Sequence, residues 1–321
     1  MYERYTNNLK CYISVHGSSA EGESIVIVIK DDIGKIVFVV DSFQNGDINI
    51  PNDFLINDGI NKIDYLVWTH PHDDHTKGLE KLLEQKVENI LIPLRLDDCV
   101  YNLGDYYKNV YNAIRKISSI GCDNRKKSWT VVEEISSSSV IDVANYVINL
   151  TNRCEVKLVA FSPESQRLAN ISNSANPNCN DYSIAFNLII GDFVVSLTSD
   201  IENNTIQYSI RREKVFDYYP NIIKIPHHGS ESSDDILSLF TFCKENEDSE
   251  QITDSLFGIS TSMSKNGLPN QSTLKKYTDK LGHVLKIDDS ITNSELARLD
   301  FEIDVKASTV EIIGNQNFIE V

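Results

Sequence analysis

The sequence predicts a mixed α/β protein, and three observations carry the prediction. Short apolar runs bounded by turn residues recur along the chain, as strands require. Residues 101–120 repeat apolar side chains at Val110, Ala113, Ile114 and Ile117, the spacing of a helix face. At 63–83 one pattern gives way directly to the other: Ile63-Asp64-Tyr65-Leu66-Val67-Trp68 reads as a buried strand, and Leu79, Leu82 and Leu83 follow Gly78 at helical spacing. Between them lies the polar stretch Thr69-His70-Pro71-His72-Asp73-Asp74-His75-Thr76-Lys77, and a strand-to-helix passage is where α/β proteins build sites.

In chain order, residues 11–15 and 23–29 are predicted strands joined by the flexible loop His16-Gly17-Ser18-Ser19-Ala20-Glu21-Gly22, with His16 a loop residue that has no partner at ligand spacing. A third strand spans 35–40 after the turn 31–34 and ends at Asp41. Residues 90–93 form a short strand, 101–120 a helix closed by Gly121 and Cys122, and 129–132 a strand. The serine run 136–139 is a link too short to separate domains. A strand at 156–163 enters the Asn-rich loop 170–180. A hairpin follows, with arms 183–190 and 193–197 around the turn Gly191-Asp192. Residues 222–225 end an apolar strand at Pro226-His227-His228-Gly229-Ser230, a helix begins at 233–239, 256–260 is a strand, and 301–305 with 310–313 reads as a closing hairpin. The chain is expected to form one domain over 1–321, since 321 residues with 41% hydrophobic composition suffice for one large core.

The histidines and carboxylates are spaced for metal. His70 and His72 lie two apart, so on an extended segment both imidazoles leave the same side and can converge on one cation. Asp74 and His75 follow at once, a carboxylate beside an imidazole suited to a second divalent ion. Four ligand-type residues in six positions favour metal over a solvated loop. Two later strands end in similar chemistry. Leu197-Thr198-Ser199-Asp200 presents a carboxylate whose oxygens can bridge two cations, or else the N-cap of a helix over 201–210. The pair His227 and His228 closes the strand 222–225.

The pattern His70-x-His72-x-Asp74-His75 resembles the histidine signature of the metallo-β-lactamase superfamily, which implies a four-layer αββα sandwich with metals at one edge of its two sheets. Taken in order, that pattern, the Asn180-Asp181-Tyr182-Ser183 hairpin, Leu197-Thr198-Ser199-Asp200 and Pro226-His227-His228-Gly229-Ser230 resemble the metallo-hydrolase domain of the bacterial DNA-uptake protein ComEC and its stand-alone relatives, over residues from about 13 to 286. The resemblance implies metal ligands at His70, His72, Asp74, His75, Asp200, His227 and His228, catalytic parts for Asp74, His227 and His228, and one or two divalent ions, zinc or manganese. It also implies Asp41 as a buried support of the metal loop, where the plainer reading is a strand-end cap. Phe43 and Ser199 stand where the family has glycine, and Glu23 where it has Asp. Leu268, in Asn266-Gly267-Leu268-Pro269-Asn270, stands where the family has a histidine. The expectation is that Leu268 is a lost ligand of the second cation, leaving Asp74, His75 and Asp200 to hold it more weakly than His70 and His72 hold the first. The competing reading is that the late strand is placed a few residues off and that His227 or His228 already completes this site. No histidine lies between His75 and Asp200, and His283 is expected to be structural.

A net charge of −17 repels polyanions at long range, so a nucleic-acid substrate would need a local basic patch or the metals themselves. Arg125-Lys126-Lys127 with Trp129, and Arg211-Arg212 with Lys214, are the candidates, each also readable as solvated loop charge. The chain has no apolar stretch of about 18 residues. Its N-terminus lacks the form of a signal peptide, so a soluble, cytoplasmic protein with no membrane partner is expected. Cysteines 11, 99, 122, 154, 179 and 243 form no Cys-x-x-Cys pair and read as reduced thiols. The function expected is a metal-dependent hydrolase, a phosphodiesterase or nuclease acting on a nucleic-acid or nucleotide phosphodiester. The alternatives are a small-molecule hydrolase acting on a lactone, thioester or cyclic nucleotide, and a subunit that binds a protein partner through a degenerate metal site.

Overall fold

The computed structural model describes residues 3–18, 22–101, 107–122, 130–171, 178–210, 219–238, 256–292 and 295–321. Its strands are β1 Glu3–Thr6, β2 Lys10–Ser18, β3 Glu23–Lys30, β4 Lys35–Val40, β5 Gln44–Asn45, β6 Ile48–Asn49, β7 Lys62–Val67, β8 Lys86–Pro93, β9 Val131–Ile135, β10 Val140–Ile148, β11 Asn152–Ser162, β12 Ala185–Ile190, β13 Phe193–Leu197, β14 Ile222–Lys224, β15 Leu256–Ser260, β16 Gly282–Ile287, β17 Leu296–Asp304, β18 Thr309–Gln316 and β19 Phe318–Glu320. Helices α1 Ile50–Asn57, α2 Asp73–Thr76, α3 Leu79–Leu82, α4 Leu96–Tyr101 and α5 Lys108–Cys122 interleave with the first nine strands. An eight-stranded sheet runs β18-β17-β2-β3-β4-β7-β8-β9 and a nine-stranded sheet runs β1-β10-β11-β12-β13-β14-β15-β16-β19.

The strand period of two assigns the layers. Along β3, Ile25, Ile27 and Ile29 turn inward to meet Phe186, Leu188 and Ile190 of β12 in the core between the sheets, while Val26 turns outward to the layer holding Leu79, Leu82, Val110 and Ala113. On the far side of the nine-stranded sheet, Ile223, Ile225 and Val284 pack against Leu274, Tyr277 and Leu281 of the helix Gln271–Leu281. Helices therefore cover both outer faces of two stacked sheets, in four layers. Burying a Val, Leu, Ile or Phe contributes roughly 1.5–3 kcal/mol, so these three interfaces supply the main favourable term of folding.

The structure departs from the sequence expectations at several elements. Strand β2 runs on to Ser18, so His16 is a buried strand residue and not part of a loop. It pairs in register with Ser24 of β3 and Arg298 of β17; burial pushes its pKa down to about 3, and Ser14 Oγ sits 3.0 Å from its Nε2. The helical pattern at 101–120 belongs to α5, preceded by the separate α4. The serine link at 136–139 carries the chain from β9 in one sheet to β10 in the other. Helix Asn203–Ile210 begins three residues after Asp200, which removes the N-cap reading of that residue. Cys11, Cys99, Cys154 and Cys179 are buried free thiols. Both basic patches, Arg125-Lys126-Lys127 with Trp129 and Arg211-Arg212 with Lys214, lie outside the described residues.

One end of the sandwich gathers strand termini. Strands β4, β7 and β8 are parallel neighbours, as are β13, β14, β15 and β16. Asp41 follows β4, Thr69 to His75 follow β7, Asp200 follows β13, His228 follows β14 and Thr261 follows β15. The carboxyl ends of parallel strands form a crevice in which side chains from separate elements converge.

Candidate metal centre

The segment after β7 is shaped by its own side chains. The Trp68 indole donates to Thr76 Oγ1 at 3.0 Å, and Thr76 donates to the His72 carbonyl at 2.6 Å, closing the single turn α2 that carries Asp74 and His75. His72, at φ −100° and ψ 152°, is extended, and His72 Nδ1 lies 3.0 Å from His70 Nε2. Three bonds tie this segment to the nine-stranded sheet: the Ile184 amide donates to the Thr69 carbonyl at 2.9 Å, Ser199 Oγ donates to Thr69 Oγ1 at 2.8 Å, and His70 Nδ1 meets Ser199 Oγ at 3.2 Å.

Ligand-type atoms of Asp74, His75, Asp200 and His228 all lie within 4.8 Å of one another. His75 Nε2 stands 3.7 Å from Asp74 Oδ2 and 3.6 Å from Asp200 Oδ1; His228 Nε2 stands 3.4 Å from Asp74 Oδ2 and 3.5 Å from Asp200 Oδ2. Both imidazole nitrogens are buried and neither makes a hydrogen bond. A buried nitrogen without a hydrogen bond is costly, and two of them held 3.4–3.7 Å from two carboxylates form a ligand set that a divalent cation would satisfy. Around them the charges do not balance. Among the described residues, Glu23, Asp41, Asp74 and Asp200 surround the two imidazoles while Lys224 pairs with Glu23 and Asp200, so with neutral imidazoles these five groups would carry an excess of three negative charges.

The electrostatics follow from that excess. Burial would lower both imidazoles, yet the carboxylates outweigh it: His75 is held well above the ordinary histidine range by Asp200, Asp41 and Asp74, and His228 is raised to about 9, chiefly by Asp200. Burial would raise Asp74 and Asp200, yet the neighbouring cations hold both well below the ordinary carboxylate range. His70 goes the other way, lowered by burial and by His75 and His72.

Each clustered imidazole is oriented from behind. Asp41 accepts from the Thr69 amide at 2.7 Å, from Thr69 Oγ1 at 2.6 Å and from His75 Nδ1 at 2.7 Å, so it orients the loop and His75 and does not act as a plain strand cap. Glu23, Asp41 and His75 make a second ligand-type group, but there His75 presents the nitrogen already bonded to Asp41. Thr261 Oγ1 lies 2.9 Å from His228 Nδ1. Four non-glycine residues of the centre, Asp41, Ser199, His227 and His228, have φ between 48° and 57°, in the left-handed region that side chains disfavour.

The double histidine divides. His228 is fully buried in the cluster, whereas His227 turns outward, with Nδ1 3.3 Å from Glu202 Oε1 and 3.1 Å from Ser232 Oγ. Leu268 is displaced from the part expected of it. His228 stands beside Asp74 and Asp200, while the Leu268 backbone bridges Met263, so no gap needs a histidine at 268. His283 lies apart, 2.9 Å from Glu320. From sequence, Glu23 is marked only as standing where the family has Asp, and Lys224 and Thr261 are not singled out; the lysine within an otherwise apolar strand, Ile222-Ile223-Lys224-Ile225, is the further signal.

A cavity of about 270 Å3 opens beside Asp74, with Phe43, Asp73, Lys77, Asn109 and Lys265 on its walls. A larger cleft of about 380 Å3 lies beneath α1 on the outer face of the eight-stranded sheet and holds none of the clustered residues.

Residues 22–97 match the metallo-beta-lactamase superfamily. The matched segment runs from β3 to α4 and contains the whole His70 to His75 motif. The four-layer arrangement is that of the metallo-beta-lactamase sandwich. Solved structures with similarity include a diphosphatase from the PhnP family, 12% identical over 92% of this chain and 99% of that one with a TM-score of 0.43. A metallo-beta-lactamase superfamily protein from Sulfolobus tokodaii is 15% identical over 83% and 96%, with a TM-score of 0.35. The metallo-beta-lactamase SMB-1 is 10% identical over 67% and 81%, also at 0.35. No curated protein sequence matches the chain.

Proposed function

We propose that the protein is a divalent-metal-dependent hydrolase of phosphodiester substrates. The observation that carries this reading is the convergence of Asp74, His75, Asp200 and His228 with two buried imidazole nitrogens lacking any other partner. Those four residues, with His70 and His72 beside them, would hold zinc or manganese. A cation bound there supplies Lewis-acid polarisation of a phosphoryl oxygen and brings the pKa of water toward neutrality. The Asp74 carboxylate, on the cavity wall, orients the attacking water. Lys77 and Lys265 give the same cavity positive charge for a phosphoryl oxygen. His227, fixed through Nδ1 by Glu202 and Ser232, is the residue available to protonate the leaving oxygen.

The cavity supports a small diester or a nucleic-acid end more readily than a long duplex, as does the charge of −17. The resemblance of the motif order to the ComEC hydrolase domain, read from the sequence, favours phosphodiester chemistry over the lactone or thioester alternative in this proposal. The test is an assay of single-stranded DNA, duplex DNA, RNA, cyclic nucleotides and bis(p-nitrophenyl) phosphate with each metal, using Asp74→Ala as the blank. Metal-dependent cleavage lost in the blank is expected. Hydrolysis confined to lactones or thioesters would overturn the substrate class. The part given to His227 has its own test: His227→Gln should slow diesters with poor leaving groups at least tenfold while sparing p-nitrophenolate esters, and an equal loss on both would contradict it.

A further inference from the structure

We propose that Lys224, Glu23 and Thr261 form a positioning chain that fixes both Asp200 and His228 for one divalent cation, an inference that rests on the metal-binding reading above. The contacts close a ring. Lys224 Nζ donates to Glu23 Oε1 at 2.8 Å and to the Ser199 carbonyl at 3.1 Å, and reaches Asp200 Oδ1 at 3.4 Å. Thr261 Oγ1 donates to Glu23 Oε2, and His228 Nδ1 meets Thr261 Oγ1 at 2.9 Å. His228 Nε2 then returns to Asp200 Oδ2 at 3.5 Å.

The direction of the chain follows from proton counting. A hydroxyl has one hydrogen, and Thr261 gives its hydrogen to the Glu23 carboxylate, so toward His228 it can only accept. Nδ1 of His228 must therefore carry the proton, and the nitrogen left to ligate is Nε2, the one that faces Asp74 and Asp200. On the other arm, the ammonium engages one Asp200 oxygen and leaves Oδ2 toward His228. The five ring members come from four segments: Glu23 opens β3 in the eight-stranded sheet, while Asp200, Lys224 with His228, and Thr261 lie at the ends of β13, β14 and β15 in the other.

Keeping a lysine and a glutamate in the interior is not explained by stability. A buried ion pair is often no better than apolar residues of the same shape, whereas removing one partner strands a charge. Lys224 is 1% exposed and Glu23 4%, and both ends of the pair lead to candidate ligands. The pair is better accounted for by the geometry it imposes than by the folding energy it adds.

The test compares Thr261→Val, Thr261→Ser and the double variant Glu23→Gln with Lys224→Met against the unaltered protein. Each is stripped with chelator, titrated calorimetrically with Zn2+, and loaded with Co2+ for its visible absorption. Thr261→Val and the double variant should fold, as circular dichroism reports, yet bind Zn2+ roughly ten- to hundredfold more weakly and shift the Co2+ bands, and Thr261→Ser should restore both. A purely structural chain would lower the melting temperature while leaving the affinity and the Co2+ spectrum of the folded protein unchanged, which overturns the proposal. If Thr261→Val does not fold, the double variant decides alone, because removing both charges together strands neither. An unaltered protein that binds neither metal overturns the metal reading itself, an outcome distinct from binding that the variants leave intact.

Discussion

At Ser199 a conformational cost and a bonding gain oppose each other at a single position. Its φ of 48° is left-handed, a conformation glycine adopts freely, but its hydroxyl donates to Thr69 and lies 3.2 Å from His70 Nδ1. Replacing it by alanine keeps the strain and loses the bonds, which should cost about 1–2 kcal/mol in urea denaturation. Replacing it by glycine loses the same bonds but releases about 1 kcal/mol of strain. Ser199→Gly should therefore be the more stable of the two variants, and the reverse order would show that the backbone there is not strained. Sequence reasoning could name ligand types at this scale because His70, His72, Asp74 and His75 sit within six positions. It could not separate His227 from His228, because neighbouring residues with nearly identical dihedrals point their side chains apart and only the packed loop decides which one is buried. Nor could it see that Glu23 reaches Thr261, 238 positions away in the chain.

The decisive elements are the short turns after β7 and β14. Gly229 closes the second of these with φ 75°, and a Cβ there would stand 2.8 Å from Pro269 Cβ and 3.2 Å from Ser260 Oγ. Gly229→Ala thus adds a clash to an unfavourable dihedral, directly beside His228. A loss of about 2 kcal/mol in thermal or urea unfolding is expected, together with weaker metal uptake. Unchanged stability would mean that the Pro269 loop yields. Most strands were legible as apolar runs, and β4, β7, β13 and β15 fall within a residue of where the sequence puts them. The extent of β2 was hidden because His16, Gly17 and Ser18 have loop composition. They are held extended by pairing with Ser24 and Glu23 on one side and with Arg298, Ala297 and Leu296 on the other, a tertiary effect that overrides local preference. Strand β10 escaped for a similar reason: polar residues interrupt it, and its partner β11 defines it.

For the whole molecule, the buried charge excess makes stability and metal uptake depend on pH in linked ways. The folded pKa of His228, about 9, lies above its ordinary value of 6.5, so the stabilisation from its charged form is complete below pH 6.5 and is lost as pH rises through 9. The chelated protein should accordingly melt at lower temperature at pH 9.5 than at pH 6.5. Cation binding must displace that proton, so apparent affinity should rise about tenfold per pH unit per proton released over the same interval. A melting temperature of the chelated protein that climbs toward pH 9.5 would contradict the electrostatic account. Among the described residues no helix is long and apolar enough to cross a membrane. The layer order follows from the alternation of inward and outward residues in strands such as β3, which the sequence displays. That the two sheets bring β7 and β14 ends to one crevice depends on topology, for which the sequence offers motif order and resemblance but no distances.

The central claim is that Asp74, His75, Asp200 and His228 hold one divalent cation, and calorimetric titration of Zn2+ and Mn2+ into chelated protein tests it most directly when run on the unaltered chain beside His228→Asn and His227→Asn. The account predicts a tight event in the unaltered protein, weakened at least a hundredfold in His228→Asn and little changed in His227→Asn. Absence of binding in the unaltered protein, or equal binding by all three, would contradict it.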